Sequence, residues 1–185
     1  AIREASEEGR LAYGFVEVPG DLLDVVQQIV GGQFQPVVLR LDFLGGDSRG
    51  LANALQAPDR QLVCLQYGEV SAELAALKAS TNIDIHPGLS GYADVDDLAA
   101  LTCACDVVVT VCSSQAHLSG ALGRPGIVLV PHNPSWRYGA SGSHSPWYPS
   151  LRLARQLRTG DWQTPLAQTQ HWLQHWSITT PFAQP

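Results

Sequence analysis

Cys112-Ser113-Ser114-Gln115-Ala116-His117 is the stretch of this chain whose residue types and spacing could do chemistry. It closes Asp106-Val107-Val108-Val109-Thr110-Val111-Cys112, a nearly continuous apolar run of the kind found in a strand covered on both faces. Gln115 to Leu122 then reads as a short helix stopped by Gly123-Arg124-Pro125. At such a strand-to-helix turn the first N–H groups of the helix point outward and favour an anion. Ser113 and Ser114 are small enough to let the backbone approach a phosphate, and both hydroxyls can donate. His117 falls in the first turn of the helix, where its imidazole can donate to a phosphate or to a leaving-group oxygen. An ordinary turn, with a Ser N-cap and a His capping a neighbour, uses the same residues, and spacing alone leaves both readings open.

The rest of the chain offers less. There is no G-x-G-x-x-G, no G-x-x-x-x-G-K-[ST] and no G-x-S-x-G, so dinucleotide, P-loop and hydrolase readings lack their fingerprints. Cys64, Cys103, Cys105 and Cys112 sit in or beside apolar stretches without zinc spacing and read as buried, reduced thiols of a cytoplasmic protein. His171 and His175 stand four apart, but no third ligand is near, so no metal is expected. Arg152 and Arg155, read as one side of a helix, suit surface ion pairs. Trp136, Arg137, Trp147 and Tyr148 could stack on a base or sugar; packing a long loop onto the domain is the favoured role.

The elements that must position the turn follow from patterning. Strands are expected at 36–43, 61–66, 82–86, 106–112 and 126–130. Helices are expected at 21–30, 48–56, 71–79, 94–105, 115–122, 149–158 and 164–176. Strands alternating with helices make a mostly parallel sheet of about five strands with helices on both faces, a doubly wound α/β domain. The 185 residues, 45% hydrophobic, suffice for one packed core and exclude a disordered chain. A formal charge of −6 argues against nucleic acid as a partner, and no apolar run approaches the roughly 20 residues of a membrane span. The first residues lack the plan of a signal peptide. The absence of methionine implies an initiator removed before Ala1 or a piece of a longer polypeptide.

Several motifs occur in a recognisable order. They are Asp94-x-Asp96-Asp97-Leu98-Ala99-Ala100-Leu101, Cys105-Asp106-Val107-Val108-x-x-Val111 and Ala116-His117-Leu118-x-Gly120-Ala121-Leu122-Gly123-Arg124-Pro125. Pro134-x-Trp136-Arg137-Tyr138 and Ser145-Pro146-Trp147-Tyr148-Pro149-Ser150-x-Arg152-Leu153-x-Arg155-Gln156 follow, and Gln66-Tyr67-Gly68 precedes them. Together, over residues 60–176, they resemble the C-terminal half of GT-B glycosyltransferases, nearest to the heptosyltransferase-like enzymes associated with tetratricopeptide repeats.

The resemblance implies a Rossmann-like domain over 37–176, preceded by a 1–36 extension with one helix and followed by a 177–185 tail. It implies a nucleotide-diphosphate sugar as substrate, with no metal and no cofactor. Ser113, Ser114 and His117 would hold the donor diphosphate, His117 acting on the leaving group. Gln66, Tyr67, Gly68, Leu89, Ser90 and Cys112 would line the nucleotide and sugar. Partners implied are an N-terminal acceptor-binding or tetratricopeptide-repeat domain, or a second copy of the chain. Two departures support an alternative, a degenerate, non-catalytic interaction module. Cys112 and Ser113 stand where many relatives carry Asp or Asn, and the one lysine, Lys78, lies mid-helix, away from the turn.

Overall fold

The computed structural model describes residues 4–5, 11–13, 16–17, 35–39, 48–58, 60–65, 71–81, 85–86 and 95–175. Three short strands come first: β1 (Glu4–Ala5), β2 (Leu11–Tyr13) and β3 (Val16–Glu17), an antiparallel sheet. The extension thus carries strands that its sequence does not announce; the helix expected at 21–30 lies outside the described residues.

The main sheet is parallel throughout. Its strands are β4 (Gln35–Leu39), β5 (Arg60–Cys64), β6 (Ile85–His86), β7 (Val107–Val111), β8 (Gly126–Val130) and β9 (Leu151–Arg155), in the spatial order β6-β5-β4-β7-β8-β9. Among the described residues five helices accompany it: α1 (Ser48–Leu55), α2 (Ser71–Thr81), α3 (Val95–Ala104), α4 (Ser114–Ala121) and α5 (Gln163–Gln174). Because side chains alternate along a strand, β7 and β8 send successive residues to opposite cores. Val107, Val109, Val111, Ile127 and Leu129 meet Leu51 and Leu55 of α1, Leu77 of α2, and Leu166 and Leu173 of α5. On the other face Val63 and Val108 meet Leu101 of α3 and Cys105 just after it, while Val128 and Val130 meet Ala116 of α4. Leu51, Leu55, Leu101, Ile127 and Leu129 are each fully buried, a contribution of about 1.5–3 kcal/mol apiece.

The sixth strand corrects the sequence reading, which places a helix at 149–158. Leu, Arg and Ala are good helix formers, so Leu151-Arg152-Leu153-Ala154-Arg155 suits a helix by propensity. It pairs instead along the whole of β8, from Gly126↔Leu151 to Val130↔Arg155, burying Leu151 and Leu153 on one face and Ala154 on the other. Tertiary pairing therefore overrides local preference, and Arg152 and Arg155 leave on opposite faces. The outer edge of β9 is covered as well. Leu153 N–H donates to Ser143 O (2.8 Å) and Ser145 N–H to Leu151 O (3.2 Å), so the loop shields an edge that would otherwise invite further strands.

Candidate functional site

Strand order reverses between β4 and β7, whose successors in the chain lie on opposite sides. Beyond the carboxyl ends at such a reversal the flanking loops part and leave a crevice. Cys112, Ser113 and Ser114 lead from β7 into α4 at this point. Ser113 is extended (φ −143°, ψ 175°), and its hydroxyl makes no bond to the helix N-terminus. It lies 3.2 Å from the Thr110 hydroxyl instead, on the strand below. Ser114 is exposed. The turn thus presents a helix N-terminus that its own N-cap side chain does not satisfy, the condition under which an anion can take that place.

Gln115 fixes α4 in position. Its amide donates to Thr102 Oγ1 (3.0 Å) on α3 and to Ser119 Oγ (3.3 Å). Both hydroxyls spend their own protons on carbonyls, Thr102 on Leu98 O (2.6 Å) and Ser119 on Gln115 O (2.8 Å), which dictates the amide's orientation. Arg124, just past α4, donates to Cys105 O at the carboxyl end of α3, where a cation also suits the helix dipole. Gln115 was not legible as a positioning residue; its burial becomes evident only once α3 and α4 meet.

His117 stays beside the turn, but its ring is half-buried between two tyrosines. Ring centres lie 6.0 Å from Tyr138 and 5.8 Å from Tyr148, and Nδ1 is 3.3 Å from the Tyr148 hydroxyl. That leaves Nε2 as the nitrogen able to address a ligand. Tyr138 belongs to a short 3-10 turn, Trp136–Tyr138, in the loop between β8 and β9. The loop is fastened by Arg155, which donates to the carbonyls of Tyr138, Gly139, Ser141 and Gly142. Pinning the loop, expected of four aromatic and arginine residues, falls mainly to Tyr138, Tyr148 and Arg155. Trp136 and Trp147 stack edge to face at the surface, 71% and 57% exposed, with the Arg137 guanidinium over Trp136 at 5.0 Å.

Cys112 is half-buried against this cluster. Burial pushes its thiol up to about 11, against smaller opposite effects from the Tyr138 hydroxyl and the Arg155 charge. Burial likewise raises the Tyr138 phenol. At neutral pH the thiol is protonated and is no nucleophile. The folded chain holds this proton in a pH range where the unfolded chain has released it. Its contribution to stability is therefore complete below about pH 9 and falls as pH rises toward 11. Thermal melts between pH 8 and 11 should show this decline, shallower in Cys112→Ala; equal slopes would contradict the burial.

A shallow depression of about 440 Å³ lies beyond β9, lined by Arg158, Thr159, Gly160, Asp161, Trp162 and Gln163. Asp161 accepts from the Thr164 amide (3.2 Å) and hydroxyl (2.7 Å), and these bonds hold its carboxyl below the usual range. A fixed carboxylate there disfavours a phosphate, so the turn after β7 is the better anion site. Gln66, Tyr67, Gly68, Leu89 and Ser90 lie outside the described residues. Among the described residues no group of three or more His, Cys, Asp or Glu is arranged to hold a metal, and no helix is long and apolar enough to cross a membrane.

No protein-family profile matches the chain. Over 112 residues it is 36% identical to Protein FlbA of Caulobacter vibrioides (strain ATCC 19089 / CIP 103742 / CB 15). The match takes in 59% of this chain and spans only 18% of that protein's length.

Proposed function

We propose that this chain is the nucleotide-sugar-binding part of a metal-independent GT-B glycosyltransferase of the heptosyltransferase-like kind. The observation that carries the reading is a coincidence in space: the Ser113-Ser114 turn opens from the strand beside the reversal of strand order. Counted from β4, the order is 3-2-1-4-5-6, that of Rossmann domains, which take nucleotide phosphates at this point. In this reading the turn's amides and the hydroxyls of Ser113 and Ser114 receive the donor diphosphate. His117 Nε2 donates to its departing oxygen as the bond to the sugar breaks and the acceptor's oxygen takes its place. Gln66, Tyr67, Gly68, Leu89 and Ser90 line the nucleotide, and Cys112 walls the pocket as a neutral thiol. The acceptor's base comes from another domain. A longer polypeptide in FlbA is compatible with such a partner segment, and four cysteines outside any disulfide suit the cytoplasm.

The test is titration with uridine, guanosine, adenosine and cytidine diphosphates, followed by calorimetry and melting. One of them at about 100 times its Kd should stabilise the fold by about 2.7 kcal/mol. Ser114→Glu should abolish the effect while leaving the unliganded protein as stable or slightly more so, because an acid at a helix start is favourable yet repels phosphate. If none of the four binds, the donor-site reading is lost.

A specific observation favours the second reading, a non-catalytic interaction module. Arg60, Arg124 and Arg155 each donate to backbone carbonyls, and Arg137 lies on Trp136. The Arg155 charge reaches Cys112, but its N–H groups are committed to the loop. Failure to bind nucleotide, combined with self-association in light scattering, would select this reading.

A further inference from the structure

His171 in the last turn of α5 and His175, the residue that caps its end, are both exposed, with ring centres 4.5 Å apart and planes at 47°. His175 Nδ1 is 2.8 Å from the His171 carbonyl oxygen. A carbonyl oxygen can only accept, so Nδ1 carries the proton and the neutral ring presents its lone pair at Nε2. Ligating histidines are held in this way, the second nitrogen donating to a carbonyl or carboxylate that fixes tautomer and orientation.

The spacing of the rings says which ion they suit. An ion about 2.0–2.1 Å from a ring nitrogen lies about 3.2 Å from the ring centre. Two rings at a right angle about the ion then have centres about 4.5 Å apart, and at a tetrahedral angle about 5.2 Å. The separation in α5 is that of the right angle. Nitrogen ligands at right angles are the preference of tetragonal Cu2+ and Ni2+, whereas structural zinc is tetrahedral. We propose that His171 and His175 form a two-histidine chelate for Cu2+ or Ni2+, filling adjacent equatorial positions with water in the others. The described residues bring no third His, Cys, Asp or Glu to the pair, so the ion keeps open positions.

Cu2+ titrated into the full chain, followed by calorimetry and frozen-solution electron paramagnetic resonance, tests the assignment. One equivalent per chain should bind more tightly than the rest and show coupling to two nitrogens. His171→Asn and His175→Asn should each weaken that equivalent by at least about tenfold, the smallest loss seen when a group that merely orients a ligand is removed. Each should leave coupling to a single nitrogen. His132→Asn, changed at an exposed loop histidine, should alter neither. Both α5 side chains are exposed, and circular dichroism verifies that the variants fold. Survival of the tight equivalent in both α5 variants, or its loss in His132→Asn, would overturn the assignment. No nucleotide takes part, so either outcome leaves the donor-site reading untouched.

Discussion

Gly120→Ala should lower the thermal midpoint by roughly 2–8 °C, although the same exchange at an exposed helix position stabilises by about 1 kcal/mol. Gly120 lies within α4, where alanine is intrinsically the better residue. A Cβ added there would stand 2.3 Å from Tyr148 Cγ and 2.6 and 2.7 Å from its two Cδ atoms. These atoms are the root of the ring, which cannot swing clear without leaving its place. Tyr148 would then withdraw from the cluster of Ala116, Val128, Val130 and Leu151, and His117 would lose one of its two flanking rings. Overpacking of this kind costs about 1–3 kcal/mol and occasionally more, enough to outweigh the propensity gain. A double-mutant cycle isolates the contact. In a Tyr148→Ala background the glycine exchange should become neutral or stabilising, because the obstructing ring is gone. A Gly120→Ala protein as stable as the parent would mean that Tyr148 does not lie on α4.

The reason for Gly120 shows how much the sequence could disclose. Its place in the Ala116–Pro125 motif is visible in the chain, yet the ring that requires it comes from 28 residues further on. Strands β7 and β8 were legible because both faces are buried, so their residues are apolar apart from Thr110. The helices at 48–55, 71–81, 95–104 and 114–121 fell close to their expected bounds, since caps, breakers and apolar spacing act locally. What failed was non-local. β9 consists of helix formers and becomes a strand through β8, and Arg155 is understood only when the loop it holds is seen. In the candidate site, the Ser113-Ser114 turn could be placed by its position between strand and helix. The flanking of His117 by Tyr138 and Tyr148 could not, because it depends on the path of a long loop.

That path is held by Arg155 more than by any other hydrogen-bonding side chain, and Arg155→Met should loosen it. Methionine keeps the apolar stem and removes every donor. Nε donates to Gly142 O (2.6 Å), Nη1 to Gly139 O (3.2 Å), and Nη2 to Tyr138 O and Ser141 O. Gly139 and Gly142 have φ of 65° and 86°, left-handed conformations that set the curve bringing these carbonyls around one guanidinium. Bonds to a charged group are worth about 1.5–3 kcal/mol each in favourable cases. Here several are shared and partly exposed, so about 3 kcal/mol for the whole clamp is the expected loss, or roughly 6–12 °C in the melt. Arg155→Lys should recover little, since one ammonium cannot reach four carbonyls spread around a planar fork. A general loss of stability is set apart by where the change is felt. Limited proteolysis should accelerate between Pro131 and Ser150, and hydrogen exchange should rise there under conditions that leave β7 and β8 protected. Tyr138 leaves with the loop, so Cys112 should also be alkylated faster at pH 8. Uniform exchange across loop and sheet would instead make Arg155 an ordinary contributor to the core, and the enclosure of His117 would need another cause.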